Sequence, residues 1–109
     1  MHVIVETPTF LTSAAKAGMT EAERNAAIDL IAANPAGGDI IRGGGGVRKV
    51  RVQGRGKGKS GGYRVLTYYI ADNQPVFLLS VINKDKAATL SDAQLALVKS
   101  VAKDIRDER

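Results

Sequence analysis

Residues 63–71 read YRVLTYYIA, a segment that predicts the central strand of the fold. Its β-branched and aromatic residues fall on both alternating faces, which is the pattern of a central strand covered on two sides. Two further strands are predicted beside it, over residues 47–52 and 76–82. Glycine-rich or proline-containing segments separate the three runs, so the sequence predicts an antiparallel meander.

Two helices are predicted ahead of the meander. Thr7 followed by Pro8 is a typical helix start, because proline suits the first helical position, and Gly18 predicts the end of that helix. Thr20 and Glu23 form a T-x-x-E capping box for the second helix. The second helix is expected to end where an Asn-Pro pair follows its apolar stripe.

A third helix is predicted after the meander. Ser91 and Gln94 form another capping box, and Leu90 and Leu95 are placed as a hydrophobic staple. The apolar stripe that follows consists of Leu95, Val98, Ala102 and Ile105. With a short strand over residues 3–5, the order is β-α-α-β-β-β-α. This order predicts an α+β fold, in which a small antiparallel sheet carries two N-terminal helices and one C-terminal helix.

Length and composition limit the class of protein. The 109 residues, 44% of them hydrophobic, predict one soluble globular domain over residues 1–109. No apolar run reaches the roughly 18 residues of a membrane span, and no signal peptide is recognisable, so a cytoplasmic protein is expected. The chain has no cysteine and one histidine, which excludes thiol nucleophiles and leaves lysine, arginine, tyrosine, serine and carboxylates for chemistry.

The basic residues are unevenly distributed along the chain. Eight of the 16 lysines and arginines lie between Asp39 and Asp72, in a stretch without an acidic residue, whereas the rest of the chain is net acidic. On the predicted strand 47–52, Lys49 and Arg51 alternate with valines and form one basic face. Such asymmetry is typical of a surface that meets a polyanion, and a solvated, solubilising loop is the plainer alternative.

Half of the residues in the segment 53–62, QGRGKGKSGG, are glycine. The segment superficially offers a G-x-G-x-x-G motif and the end of a P-loop. Both phosphate-binding motifs require a helix to follow directly, and here a strand is predicted instead. The sequence therefore indicates a glycine-rich hairpin tip with basic side chains, beside Arg64 on the next strand.

Each of these candidates has a plainer structural interpretation. Arg64 shares its strand face with apolar residues, where a charge is costly, so it either serves a ligand or forms a salt bridge with a helix carboxylate. Lys57 and Lys59 are either functional or simply solvated loop lysines. Tyr68 and Tyr69 have core filling as the alternative to any contact with a ligand.

The residues resemble those of the RelE/HigB-type toxins of bacterial type II toxin–antitoxin systems, nearest to the HigB-like branch. The resemblance covers nearly the whole chain. Three segments carry it: GGVRKVRV at 45–52, GKGKSGGYRVLTYY at 56–69 and VINKDKAATLSDAQLALVK at 81–99. It implies the RelE-like microbial ribonuclease fold, cleavage of mRNA in the ribosomal A site, and neutralisation by a cognate antitoxin, expected to be a HigA-like helix-turn-helix protein.

The resemblance also implies a site. Its catalytic residues would be Lys57, Lys59, Arg64 and Lys84. Its RNA-binding residues are expected to be Arg48, Lys49, Arg51, Arg55, Tyr68 and Lys86. One departure concerns Ile82, which stands where relatives usually have an aromatic residue, and an aliphatic side chain offers no π-face to a base.

The residue types fit metal-independent cleavage by a 2′-hydroxyl that attacks the adjacent phosphate. Arg64 would hold the phosphate in a bidentate grip, while a lysine whose pKa is lowered by neighbouring cations would move a proton. No cofactor is expected. Two alternatives stay open, namely a non-catalytic module that binds RNA or the ribosome, and a cleavage-dead protein that only binds an antitoxin.

Overall fold

The computed structural model describes residues 3–53, 62–71, 73–83 and 91–108. Within these ranges the chain forms a five-stranded sheet and three helices. In chain order the elements are β1 (Ile4–Glu6), α1 (Pro8–Lys16), α2 (Glu21–Ala33), β2 (Asp39–Ile40), β3 (Val47–Val52), β4 (Tyr63–Tyr69), β5 (Val76–Asn83) and α3 (Asp92–Asp107). The predicted α+β class and element order are confirmed, with the two-residue β2 as an addition.

The strands lie side by side in the order β1-β5-β4-β3-β2. β4 is therefore central, as its composition predicted. The meander β3-β4-β5 is antiparallel, but β1 pairs with β5 in parallel, which makes the sheet mixed. A parallel pair needs a long connection between its strands, and here α1, α2 and the strands β2, β3 and β4 lie between β1 and β5.

The helices begin where the capping residues predicted. Thr7 accepts a hydrogen bond from the backbone N–H of Phe10 at 3.2 Å, and Pro8 follows as the first helical residue. Gly18, with φ of 78°, ends the turn after α1. Both predicted capping boxes are present, at the starts of α2 and α3. Leu90, the predicted staple residue, lies outside the described residues.

The two faces of the sheet carry different helices and separate cores. On the first face, Phe10 and Ala14 of α1 and Ala27 and Ile31 of α2 pack on Val65 and its neighbours. On the other face, the predicted stripe of α3 packs on a second cluster. Its buried members are Val47, Leu66, Tyr68, Leu79, Ile82, Val98 and Ala102. We call the first face the α1/α2 face and the second the α3 face.

A turn of four glycines, residues 43–46, connects β2 to β3. Gly46 has φ of 99°, and a Cβ atom at this position would lie 3.1 Å from the ring of Tyr68. A side chain is therefore disfavoured both by the backbone conformation and by the nearby ring. The turn brings the chain against the α3 face and aligns β3 with the central strand.

Candidate nucleic-acid interface

The alternation of side chains along β3 sorts the basic residues onto two faces. Val47 belongs to the core on the α3 face, so Lys49 and Arg51, two and four residues later, lie on that face as well. Arg64 and Leu66 of β4 share it, because they pair with Arg51 and Lys49 directly across the strands. The predicted basic face of β3 thus adjoins Arg64.

Arg51 and Arg64 form a cross-strand pair of like charge. Residues directly opposite in an antiparallel pair have Cβ atoms about 4.5–5.5 Å apart, and like charges in that arrangement destabilise a sheet. Arg51 is exposed and Arg64 is half-buried. An anion bound between the two guanidinium groups would remove the repulsion and satisfy several of their N–H donors.

Arg64 lacks the partners that a structural arginine usually has. Its Nε atom is buried and has no hydrogen-bond partner among the described residues, which is also true of the Nε atom of Arg24, so the two arginines differ in their ion pairs. Among the described residues, no carboxylate forms an ion pair with its guanidinium group, whereas Arg24 on α2 is paired with Glu6 at 3.3 Å. The salt bridge to a helix carboxylate, which was the alternative for Arg64, is therefore not found within the part of the chain that the structure describes.

The apolar neighbours of Arg64 are covered by α3. Ile82, its cross-strand partner on β5, is 6% exposed, and Tyr68, four residues along β4, is 5% exposed. The Tyr68 hydroxyl accepts a hydrogen bond from Nη1 of Arg106 at 3.1 Å. Tyr68 thus fills the core under α3, and a base could stack on its ring only if that helix moved.

Arg106 lies in the last turn of α3, near a second pair of charged side chains. Nζ of Lys103 lies 2.8 Å from Oδ2 of Asp107, one helical turn apart. This hydrogen bond and the attraction between the charges lower the pKa of Asp107 and raise that of Lys103. Both groups are exposed and belong to the surface of the helix rather than to the basic face.

Arg48 is separated from the other basic residues of β3. It lies on the α1/α2 face, and its Nη1 atom donates to the backbone carbonyl of Ala36 at 3.0 Å. This carbonyl belongs to the segment that follows α2, so the contact links β3 to the end of that helix. The structure therefore does not bring Arg48 together with Lys49, Arg51 and Arg64.

Several of the predicted site residues lie outside the described residues. They are the candidate catalytic residues Lys57, Lys59 and Lys84 and the candidate RNA-binding residues Arg55 and Lys86. The strands that lead to them are described. β3 and β4 flank the segment with Arg55, Lys57 and Lys59, and β5 leads to Lys84 and Lys86.

One polar contact behind the basic face was not recognised from the sequence. The hydroxyl of Tyr63, the first residue of β4, donates to Oε1 of Glu23 at 3.1 Å. The same oxygen accepts from the backbone N–H of Thr20 at 2.8 Å, which completes the capping box of α2. Glu23 is only 2% exposed. The T-x-x-E motif located this carboxylate but could not reveal that it also holds the strand bearing Arg64.

The chain matches a known protein family over nearly its whole length. The model of the family described as the RelE toxin of the RelE/RelB toxin–antitoxin system matches residues 2–108. The chain belongs to the RelE toxin family. It is thus a toxin of a toxin–antitoxin system, and membership implies an antitoxin partner and an action on translation.

The described residues contain neither a grouped set of metal ligands nor a membrane-spanning helix. No three histidine, aspartate or glutamate side chains there are grouped as the ligands of a metal ion would be. Within the same ranges, no helix has the length and apolar character needed to cross a membrane.

Proposed function

We propose that this RelE-family protein is a ribosome-dependent mRNA endonuclease that inhibits translation until a cognate antitoxin binds it. The observation that carries the proposal is a cationic pair on the α3 face for which the described residues supply no carboxylate partner. Arg51 and Arg64 lie opposite each other, and Nε of Arg64 is buried without a hydrogen-bond partner in the part of the chain that the structure describes. A phosphate diester supplies the negative charge and the acceptor oxygens that this pair lacks.

The reaction needs no more than positioning, charge neutralisation and proton transfer. The 2′-hydroxyl of one nucleotide attacks the adjacent phosphorus, the P–O5′ bond breaks, and a 2′,3′-cyclic phosphate and a 5′-hydroxyl result. Arg64 binds the non-bridging oxygens and stabilises the charge that grows on them in the transition state. Lys57, Lys59 and Lys84 are the proposed groups that remove the 2′ proton and return one to O5′.

The remaining basic residues bind the RNA on either side of the scissile phosphate. Lys49 and Arg51 continue the cationic surface along β3, and Arg55 and Lys86 are proposed to extend it. Their part is electrostatic, because phosphate contacts fix the register of a nucleic acid without reading its sequence. Arg48 is not included, since its guanidinium group already donates to a carbonyl on the other face.

The family relation supports the biological setting of the proposal. An RNA toxin that acts on the ribosome works in the cytoplasm, and its antitoxin must cover or distort the basic face to neutralise it. We propose that this chain lies near the HigB-like branch and that its antitoxin is a HigA-like helix-turn-helix protein. The sequence segments at 45–52 and 56–69 carry this assignment.

A translation-coupled cleavage assay tests the proposed activity. Purified protein added to a reconstituted translation reaction is expected to cut the mRNA within codons in the A site and to leave 5′-hydroxyl ends. RNA binding without cleavage would instead favour the non-catalytic module. Tight binding of the antitoxin together with neither RNA activity would favour the cleavage-dead partner.

The affinity for RNA is expected to fall steeply with salt. A site that neutralises Z phosphates releases their counterions, so the logarithm of the binding constant falls with the logarithm of salt concentration, with a slope of about −0.7Z for single strands. Fluorescence anisotropy with a short single-stranded RNA measures this slope. Replacing Arg51 by glutamine should make the slope less steep, by the amount that corresponds to about one phosphate contact. Equal affinity at low and physiological salt would show that the RNA surface lies elsewhere.

A further inference from the structure

A cleft lies along β5, the strand next to the one that carries Arg64. Its volume is about 590 Å³, within the range of pockets that bind small organic ligands. Three residues of β5 form its floor, and residues of α1 and α3 form its walls. The lining residues are Pro8, Thr9, Thr12, Ser13, Lys16, Ala17, Ser80, Val81, Ile82, Gln94 and Leu97.

The cleft exists because β1 is shorter than β5. β1 pairs with Val76, Phe77 and Leu78, and no other described strand lies beside the edge of β5 beyond Leu78. Ser13 of α1 approaches this edge, and its hydroxyl accepts the backbone N–H of Val81 at 2.8 Å. A peptide strand therefore cannot use that N–H to extend the sheet, and the cleft is open to a compact ligand instead.

We propose that this cleft binds a nucleobase of the RNA whose phosphate is held by Arg64, an inference that rests on the proposed function. Ile82 lies between the cleft and the strand that carries Arg64. It lines the cleft and is also the direct cross-strand partner of Arg64, so a single strand, β5, lies between the cleft and β4, which carries the arginine at a strand spacing of about 4.8 Å from β5.

The lining chemistry suits a base. Apolar side chains, among them Ile82 and Leu97, offer surfaces to the flat faces of a ring, while hydroxyl and amide groups can bond to its edge. None of the described lining residues is acidic, and Lys16 contributes a positive charge, which favours a ligand attached to a phosphate chain over an acidic peptide. Because no described lining residue is aromatic either, hydrogen bonds rather than stacking select the base.

Gln94 is the residue best placed to make that selection. As the third residue of α3 it uses Oε1 to accept the backbone N–H of Ser91 at 2.9 Å, and this bond fixes the orientation of its amide. Among the described residues no partner takes the two Nε2–H donors. They are available to acceptor atoms on a base edge.

Two kinds of probe, nucleosides and inorganic phosphate, measure base binding and phosphate binding separately on the free protein. Adenosine, cytidine, guanosine and uridine, and separately inorganic phosphate, are titrated into ¹⁵N-labelled protein and followed by NMR. We expect at least one nucleoside to shift the amide signals of Ser80, Val81 and Gln94. Phosphate is expected to shift the signals of Arg51 and Arg64.

A conservative variant supplies the decisive comparison. Gln94→Glu keeps the capping box, because glutamate also serves at this position, but it replaces the amide donors by an acceptor with a negative charge. Binding of the preferred nucleoside is expected to weaken by about tenfold, the value of roughly one well-formed hydrogen bond, while phosphate binding changes by less than about twofold. Ser100→Glu is the matched control, because it adds the same charge on α3 at a position that does not line the cleft.

The outcomes distinguish this inference from the proposed function. If RNA is cut and phosphate binds, but no nucleoside shifts the cleft signals, the base site is wrong and the nuclease stands. If a nucleoside binds the cleft and Gln94→Glu weakens it, the base site is supported even where cleavage fails. Equal weakening by Gln94→Glu and Ser100→Glu would overturn it, because the effect would then be one of charge alone.

Discussion

Replacing Arg64 by alanine is expected to reduce RNA cleavage by roughly a thousandfold, the effect of removing a group that stabilises transition-state charge. The melting temperature should change little. The variant removes a buried Nε that has no hydrogen-bond partner among the described residues, and it relieves the repulsion from Arg51. These gains offset the lost packing of the side chain to within about 1 kcal/mol. Cleavage rates in a translation reaction and a thermal melt measure the two quantities on one preparation.

Arg24→Ala is the matched control for this prediction. Arg24 is also a partly buried arginine, but its guanidinium group is paired with Glu6 across α2 and β1. Its loss should leave the specific activity of the folded protein unchanged and lower stability by no more than about 1 kcal/mol, because the pair is partly exposed. Comparison of Arg64→Ala with Arg24→Ala thus distinguishes an arginine that binds a ligand from an arginine that stabilises the fold.

Two results would contradict the assignment of Arg64. A loss of about 3 kcal/mol of stability, with activity falling only in proportion to the folded fraction, would show a structural arginine. Wild-type cleavage by Arg64→Ala would remove it from the site altogether. Arg64→Lys is informative as well, since it keeps the charge but loses the fork geometry, and we expect cleavage between those of wild type and Arg64→Ala.

Local signals predicted most of the fold. Thr7, Thr20 and Ser91 mark helix starts because their side chains satisfy backbone N–H groups within three residues, and such contacts depend on the nearby sequence alone. The composition of β4 likewise announced a strand covered on both faces. The parallel pairing of β1 with β5 was not predicted, because its hydrogen bonds join residues about seventy positions apart that carry no pairing signal of their own.

The candidate site was likewise predicted only where local sequence determines it. The alternation of Lys49 and Arg51 predicted one basic face on β3, and the register with β4 places Arg64 opposite Arg51 on that face. Sequence patterns could not show that Arg48 is bound on the other face, because its carbonyl partner at Ala36 depends on where the end of α2 lies. The cleft beside Ile82 was also beyond reach, because it results from the unequal lengths of two paired strands.

Glu23→Ala is expected to cause a larger loss of stability than a cap residue normally does. Removal of the carboxylate leaves the hydroxyl of Tyr63 without this acceptor in the core and frees the backbone N–H of Thr20 at the start of α2. A lost cap and a lost hydrogen bond between a buried hydroxyl and a carboxylate together cost about 3 kcal/mol. In a domain of this size that corresponds to a fall in melting temperature of roughly 12 °C.

Three comparisons identify the cause of that loss. Gln94→Ala removes the equivalent residue from the exposed capping box of α3, so it should cost only about 1 kcal/mol. Glu23→Gln keeps an acceptor for both donors and should lose less than Glu23→Ala. In a double-mutant cycle, Tyr63→Phe should cost less in the Glu23→Ala background than in the wild type, because the hydroxyl has already lost its bond to Glu23 and keeps only weaker contacts such as the one to the Gly18 carbonyl at 3.4 Å.

The position of this contact gives the stability prediction a functional consequence. Tyr63 precedes Arg64 on β4 and points to the opposite face, so its bond to Glu23 holds the end of the strand that presents the arginine. If the contact only stabilises the fold, Tyr63→Phe should cut RNA at the wild-type rate wherever it is folded. If it also positions Arg64, the folded variant should show a lower kcat with little change in KM, because the misplaced guanidinium group still attracts RNA but binds the transition state less well. If, in the double-mutant cycle, the unfolding free energies lost in Glu23→Ala and in Tyr63→Phe simply add up in the double variant, the two residues stabilise the protein independently. The proposed connection between the cap of α2 and the site would then be wrong.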